Sequence, residues 1–262
     1  MNKGFYIKII SGEDEFLCGG GGAPLLDCDG FYAPDYDVKL TSYAGCDGGY
    51  PTVRRYGERV LTLEIELTDA ERRRLVPMLN PTSDCVLEVG AGDETRRISV
   101  IPYSTIKFTP RVYGNSSLYS ELYSELYSSE LSFIAPGVFF EGASISVSGE
   151  NSQIELENTG DVKCGTVVTF TAVGGDAVTP SVTCGDEYVK CPVTLHDGDV
   201  LVLDTRVGKK SITVNGKRYT AFDTGSTFFT LSRGKNVLTI DAESGGEYLS
   251  FSAAATPLYL GI

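Results

Sequence analysis

The stretch Lys210-Ser211-Ile212-Thr213-Val214-Asn215-Gly216-Lys217-Arg218-Tyr219 decides how its surroundings fold. Ile212 and Val214 alternate with Ser211 and Thr213, the two-residue period of a strand with one buried face. Asn215-Gly216 then supplies two residues that tolerate positive φ, which a type I′ turn between hairpin strands requires. The same pattern continues on both sides. Upstream, Asp199-Val200-Leu201-Val202-Leu203-Asp204 is a short apolar run bracketed by carboxylates. Downstream, Phe228-Phe229-Thr230-Leu231, a loop at Ser232-Arg233-Gly234-Lys235-Asn236, and Val237-Leu238-Thr239-Ile240-Asp241 predict a second hairpin. Further strands are predicted at 153–157, 165–173, 180–184, 187–195 and 247–254. Short strands at this spacing, with turn residues between them, describe a β-sandwich.

The composition agrees with that reading. The chain has 262 residues, 42% of them hydrophobic, with 30 glycines and 2 methionines, a balance that favours strands and turns over helices. Its net charge is −13, and the acidity is shared: 13 basic against 21 acidic residues to Gly142, 9 against 14 beyond it. No basic face is left to neutralise phosphates, which argues against specific nucleic-acid binding. Seven cysteines, an odd number with no C-x-x-C spacing, read as reduced and mostly buried thiols of a protein made in the cytoplasm. The N-terminus is not a signal peptide, and no apolar run approaches the length of a membrane span.

The first half reads as strands with one helix. Residues 4–10 form an opening strand, followed by a long loop from Ser11 to about Tyr36 that includes Gly19-Gly20-Gly21-Gly22. A strand over 38–43 leads into the turn Gly45-Cys46-Asp47-Gly48-Gly49-Tyr50. In the long strand that follows, Leu61, Leu63, Ile65 and Leu67 share one face. Thr68-Asp69-Ala70-Glu71 has the capping-box pattern, and places a helix that Pro77 ends near Leu75 or forces to restart. Arg72, Arg73 and Arg74 then fall toward its C-terminus, where they suit the macrodipole. Strands follow at 85–89, 95–101 and 104–112. Residues 118–131 repeat Leu-Tyr-Ser-Glu. A four-residue period divides evenly on a strand and drifts on a helix, so the choice lies between a strand, as in a protruding hairpin arm, and a small duplication in a tolerant loop. A boundary at Gly142 separates domains 1–142 and 143–262.

No catalytic, cofactor-binding or metal set is assigned. His196, the only histidine, lies in Leu195-His196-Asp197-Gly198-Asp199, which reads as a turn; Asp197 and Asp199 lack the further ligands of a calcium loop. Gly19 to Gly22 lacks the lysine and helix of a phosphate-binding loop. Asp27 with Asp29, and Asp93 with Glu94, are carboxylate pairs of a kind glycosidases use, but 35 acidic residues produce such neighbours by chance. Asn115-Ser116-Ser117 matches a glycosylation sequon, without a secretory route to use it. Tyr119, Tyr123 and Tyr127 would share a strand face, either as an interaction surface or packed on a neighbouring strand.

In order and spacing, these elements resemble the siphophage distal tail protein family over nearly the whole chain. In the first half the resemblance rests on the strand 4–10, the turn Gly45-Cys46-Asp47-Gly48 and Arg59-Val60-Leu61-Thr62-Leu63. It continues through the helix from Thr68 to Asn80-Pro81, and Pro136-Gly137-Val138-Phe139-Phe140. In the second half it rests on Asn158-Thr159-Gly160-Asp161, Thr179-Pro180-Ser181-Val182, the run from Asp199 to Thr205, and Phe229 to Asn236. The chain departs from the family at Cys164-Gly165, where a proline-containing turn is usual, in the longer Gly19–Gly22 loop and in the Leu-Tyr-Ser-Glu repeat. The resemblance implies a mainly β fold: an N-terminal ring-forming, tail-tube-like domain with one short helix, and a C-terminal galectin-like β-sandwich outside the ring. It implies a homo-hexameric hub, without cofactor or enzymatic activity, at the distal end of the virion tail. The hub would join the tail-tube protein to a tail-tip, baseplate or receptor-binding protein, and DNA would pass through the ring. The alternative is a carbohydrate-binding protein that grips host cell-wall glycans through the sandwich, with Tyr188 and Tyr219 as stacking residues.

Overall fold

The structure, a computed structural model, describes residues 4–45, 47–110, 126–149, 152–221 and 223–262. It is mainly β, and divides into two compact units: residues 1–141 with 260–262, and residues 142–259. The sequence boundary at Gly142 lies one residue away, but the last three residues belong to the first unit.

In the first unit, β1 (Tyr6–Ser11) pairs antiparallel with β2 (Asp14–Gly19) through a turn at Gly12. The segment expected to be one long loop therefore contains β2 and also β3 (Leu25–Asp29). Phe16 and Cys18 are buried on alternate positions of β2, so a two-residue period was present but short. β4 (Tyr36–Thr41) and β5 (Tyr50–Tyr56) pair only with each other among the described strands. β6 (Arg59–Thr68) buries Leu61, Leu63, Ile65 and Leu67, as their alternation predicts.

Helix α1 (Asp69–Met78) starts at the expected capping box: the Glu71 amide donates to Thr68 Oγ1 at 3.3 Å, and the Thr68 amide donates to Glu71 at 2.8 Å. The helix passes through Pro77 instead of stopping at Leu75. Pro77 falls in the last turn, where its missing N–H removes the one bond to the Arg73 carbonyl and the helix ends a residue later, the Leu79 amide closing on the Val76 carbonyl in a tighter turn. Arg72 to Arg74 are thus mid-helix, and Arg72 and Arg73 both reach back to Asp69.

β7 (Cys85–Ala91), β8 (Glu94–Pro102), the short β9 (Phe108–Pro110), β10 (Leu126–Ala135) and β11 (Phe140–Glu141) complete the unit. The strand order is β2-β1-β7-β8-β10-β6-β3, with β8 meeting β10 over only two residue pairs. Ile7, Ile9, Leu87 and Val89 on one part, and Leu63, Ile65, Leu131 and Phe133 on the other, are inaccessible to solvent or nearly so. Of the Leu-Tyr-Ser-Glu repeat, Leu118 to Glu125 lies outside the described residues, as do the sequon and the end of the 104–112 strand. The rest is strand, and Tyr127 is paired with Leu67 beneath the Arg72 guanidinium, 5.2 Å from its ring centre.

In the second unit, one sheet runs β12-β23-β14-β19-β20-β21 and another β13-β22-β16-β17. The strands are β12 (Ile145–Gly149), β13 (Gln153–Asn158), β14 (Thr166–Ala172), β15 (Ala177–Val178), β16 (Ser181–Cys184) and β17 (Glu187–Lys190). They continue as β18 (Thr194–Leu195), β19 (Val200–Asp204), β20 (Ser211–Val214), β21 (Lys217–Arg218), β22 (Gly234–Asp241), β23 (Leu249–Ala255) and β24 (Leu258–Tyr259). Alternate residues of both sheets, including Leu156, Phe170, Leu203, Leu238 and Phe251, form one apolar core between them, as in a sandwich.

The Asn215-Gly216 hairpin forms, with φ of 50° and 75° and Val214 opposite Lys217. The second hairpin does not. Residues 226–231 form no strand, and β22 pairs with β13 and β16 instead. Phe229 and Leu231 are buried in the core, and Leu231 makes a single bridge to Cys164. Asn236 closes the loop itself, accepting from the Ser232 amide at 2.9 Å and donating to the Ser232 and Gly234 carbonyls at 2.8 Å each.

Candidate functional site

The residues considered for chemistry are scattered, and most of their polar atoms serve the backbone. Asp199 accepts from the His196 amide at 2.9 Å and from Asn215 Nδ2 at 2.8 Å, and Asp197 accepts from the Gly174 amide at 2.7 Å. His196 meets Asp176 at 3.1 Å in an exposed pair. In the glycine loop, the amides of Gly19, Gly22 and Ala23 already donate to carbonyls, so they do not cradle an anion. Asp27 and Asp29, on β3, each accept from the next residue's amide, whereas Glu94 pairs with Arg96 two residues along β8. Tyr188 and Tyr219 are half-buried, their hydroxyls donating to Asp223 at 2.9 Å and to the Pro192 carbonyl at 2.7 Å.

The first unit carries a different kind of site, which sequence reasoning missed. β4 and β5 form a two-stranded arm with both outer edges unpaired among the described residues. Tyr36, Val38 and Leu40 alternate along one face of β4 and are 64%, 58% and 64% exposed, with Tyr43 and Tyr50 at 60% and 71% near the tip. Arg54 lies directly opposite Val38 and shares that face. Tyrosines pair along the arm's length, Tyr43 with Tyr50 at 6.1 Å and Tyr36 with Tyr56 at 5.6 Å, while Tyr56 stands edge-on to Phe139 at 5.0 Å and anchors the root. The signal was the alternation of Tyr36, Val38 and Leu40. Alternation alone does not tell whether a face is covered, and here the partner is another exposed strand.

A cleft of about 910 Å³ opens at that root. Val60, Ile101, Ile134 and Val138 supply its apolar lining, and Asp35 and Glu58 add carboxylates. Asp37 and Arg55 line it as well, paired with each other at 2.9 Å.

Beneath the root lies Arg59, 2% exposed, on the inward face of β6. Among the described residues its guanidinium has no carboxylate partner. Instead it donates to the carbonyls of Gly30 (2.9 Å), Val138 (2.9 Å) and Leu260 (2.7 Å), and stacks 4.6 Å from the Phe140 ring centre. Burial pushes its pKa down to about 10, which leaves it charged at neutral pH. Arg96 donates to the Gly261 carbonyl, and the Ile262 amide to Phe31. Three distant segments are thereby tied together around the arm's base.

The comparisons with known proteins bear on both units. A sequence model of the siphovirus-type tail component, C-terminal domain, matches residues 159–253. Among solved structures, the SPP1 Dit (gp 19.1) protein, described as a paradigm of the hub adsorption apparatus in phages infecting Gram-positive bacteria, superposes with a TM-score of 0.71. The identity is 14%, and the alignment covers 97% of this chain and 99% of that one. A chain of the phage P2 baseplate in its activated conformation with Ca aligns at a TM-score of 0.49 and 8% identity, over 98% of this chain and 99% of that chain. No curated protein sequence matches. Residues 159–253 match the sequence model of the siphovirus-type tail component, C-terminal domain, and the chain as a whole shares the fold of the SPP1 Dit protein.

Proposed function

We propose that this protein is a structural hub of a phage tail, closing into a homo-hexameric ring between the tail tube and the tail tip or baseplate. The first unit, expected from sequence as residues 1–142, is the ring-forming and tail-tube-like part. The second, expected as 143–262, is a galectin-like sandwich facing outward toward the receptor-binding apparatus. Its place is the distal end of the virion tail, after synthesis in the host cytoplasm, and its role is architectural, not catalytic. The observation that carries the reading is the tail-component domain at residues 159–253. The exposed apolar arm of the first unit supports it, because surface of this kind in a small antiparallel sheet is blunted by association. Heterologous contacts that close on themselves produce rings. The purified chain should show a native mass of six copies and ring-shaped particles in negative stain, and should bind its tail-tube protein. A strict monomer, with no ring and no tail partner at any concentration, overturns the proposal.

A further inference from the structure

The arm and the cleft are two halves of one contact that a single copy cannot make. A six-residue strand extends about 20 Å, and the arm springs from the margin of the cleft, so its outer part points away from its own root. An isolated two-stranded ribbon is marginally stable in water. Here it also presents Val38, Leu40 and the Tyr43–Tyr50 pair to solvent. The cleft offers a matching apolar lining in Val60, Ile101 and Ile134.

The charges match in the same sense. Among the described residues Arg54 and Lys39 on the arm have no carboxylate partner; in the cleft Arg55 is taken up by Asp37, which leaves Asp35 and Glu58 without a cation of their own. The chain carries a net charge of −13, so two copies repel in general. A contact between them needs local opposite charges, and these residues provide them.

We propose that the outer face of the arm, Val38, Leu40 and Arg54, seats in the root cleft of a second copy of this chain, with Arg54 against Asp35 and Glu58. Donor and acceptor surfaces differ, so the contact is head-to-tail and propagates from copy to copy until it closes. This deepens the ring reading and rests on it.

Charge reversal tests it on the full-length chain. Arg54→Glu and Glu58→Arg are each expected to raise the concentration needed for assembly at least tenfold, read by light scattering after size-exclusion chromatography. An equimolar mixture of the two variants is expected to assemble like wild type, since each arm then meets a cleft of opposite charge; the double variant should do the same. Recovery in the mixture also shows that both variants are folded, and near-UV circular dichroism checks each alone. The inference is overturned if either single variant assembles like wild type, or if two folded variants fail to rescue each other; in both cases the ring reading stands, because the wild type still assembles. A wild-type chain that never associates overturns the ring reading and this contact together.

Discussion

At the scale of single residues, Arg59 is the most consequential position in the first unit. It continues the inward parity of Leu61, Leu63, Ile65 and Leu67, although a charged residue at a strand's start ordinarily faces water. Three carbonyls from segments far apart in sequence satisfy it, and no local pattern announces such partners. Gly30 shows the same tightness from the other side: its φ is 82°, and a Cβ there would collide with the Val60 carbonyl. Replacing Arg59 with Met should cost about 3 kcal/mol or more, because three buried acceptors lose a charged donor at once; chemical denaturation of the variant measures it. Glu88 is a second case. Burial raises its pKa, but hydrogen bonds from Arg97 and Lys8 outweigh that and hold it below the usual 4.5. A carboxylate depressed in the folded state stabilises above its unfolded pKa, and that stabilisation is lost as pH falls through the folded value. The melting temperatures of wild type and Glu88→Gln should therefore converge as pH is lowered from 6 to 3. A gap that widens on acidification would contradict the assignment.

At the scale of elements, the Asn215-Gly216 hairpin and the Thr68 capping box were legible because each is local. A few adjacent side chains settle the backbone. The failures were elements whose partners lie far along the chain. Phe228 to Leu231 has the composition of a strand, but the core takes Phe229 and Leu231, and Asn236 satisfies the loop that would have been the turn. The strands β2 and β3 are short, so their two-residue period hardly rises above the glycine-rich connection between them. The exposed arm was half legible: the alternation of β4 was clear, but nothing local told which face, if either, was covered. Asn215 does more than its turn requires, since its Oδ1 accepts from the Val200 amide at 2.9 Å and its Nδ2 donates to Asp199. Substituting Gly keeps the positive φ and loses only these bonds, whereas Ala loses both. Asn215→Ala should therefore cost about 1–2 kcal/mol and Asn215→Gly less, by thermal denaturation. Equal losses would show that the side-chain bonds alone matter.

At the scale of the whole molecule, the cysteines follow burial. Cys18 is pushed up to about 12, and Cys85, Cys164 and Cys191 up to about 11, all chiefly by burial, so their thiolates are scarce at neutral pH. In the native protein at pH 8 these four should alkylate at least tenfold more slowly than after denaturation, resolved site by site by mass spectrometry. Reaction at the same rate in both states would mean the cores open readily. The sequence offers a change of pattern near Gly142, but nothing in it marks the return of the chain to the first unit, because three residues carry no periodicity. That return sets an order on synthesis. Arg59 is made early, yet one of its three acceptors, Leu260, emerges only after the entire second unit has been translated. At about 5–20 residues per second, the first unit waits on the order of ten seconds with its buried cation incompletely bound. Its base is finished only when the ribosome has delivered both units, so the surfaces around the arm mature on full-length chains and not on nascent ones.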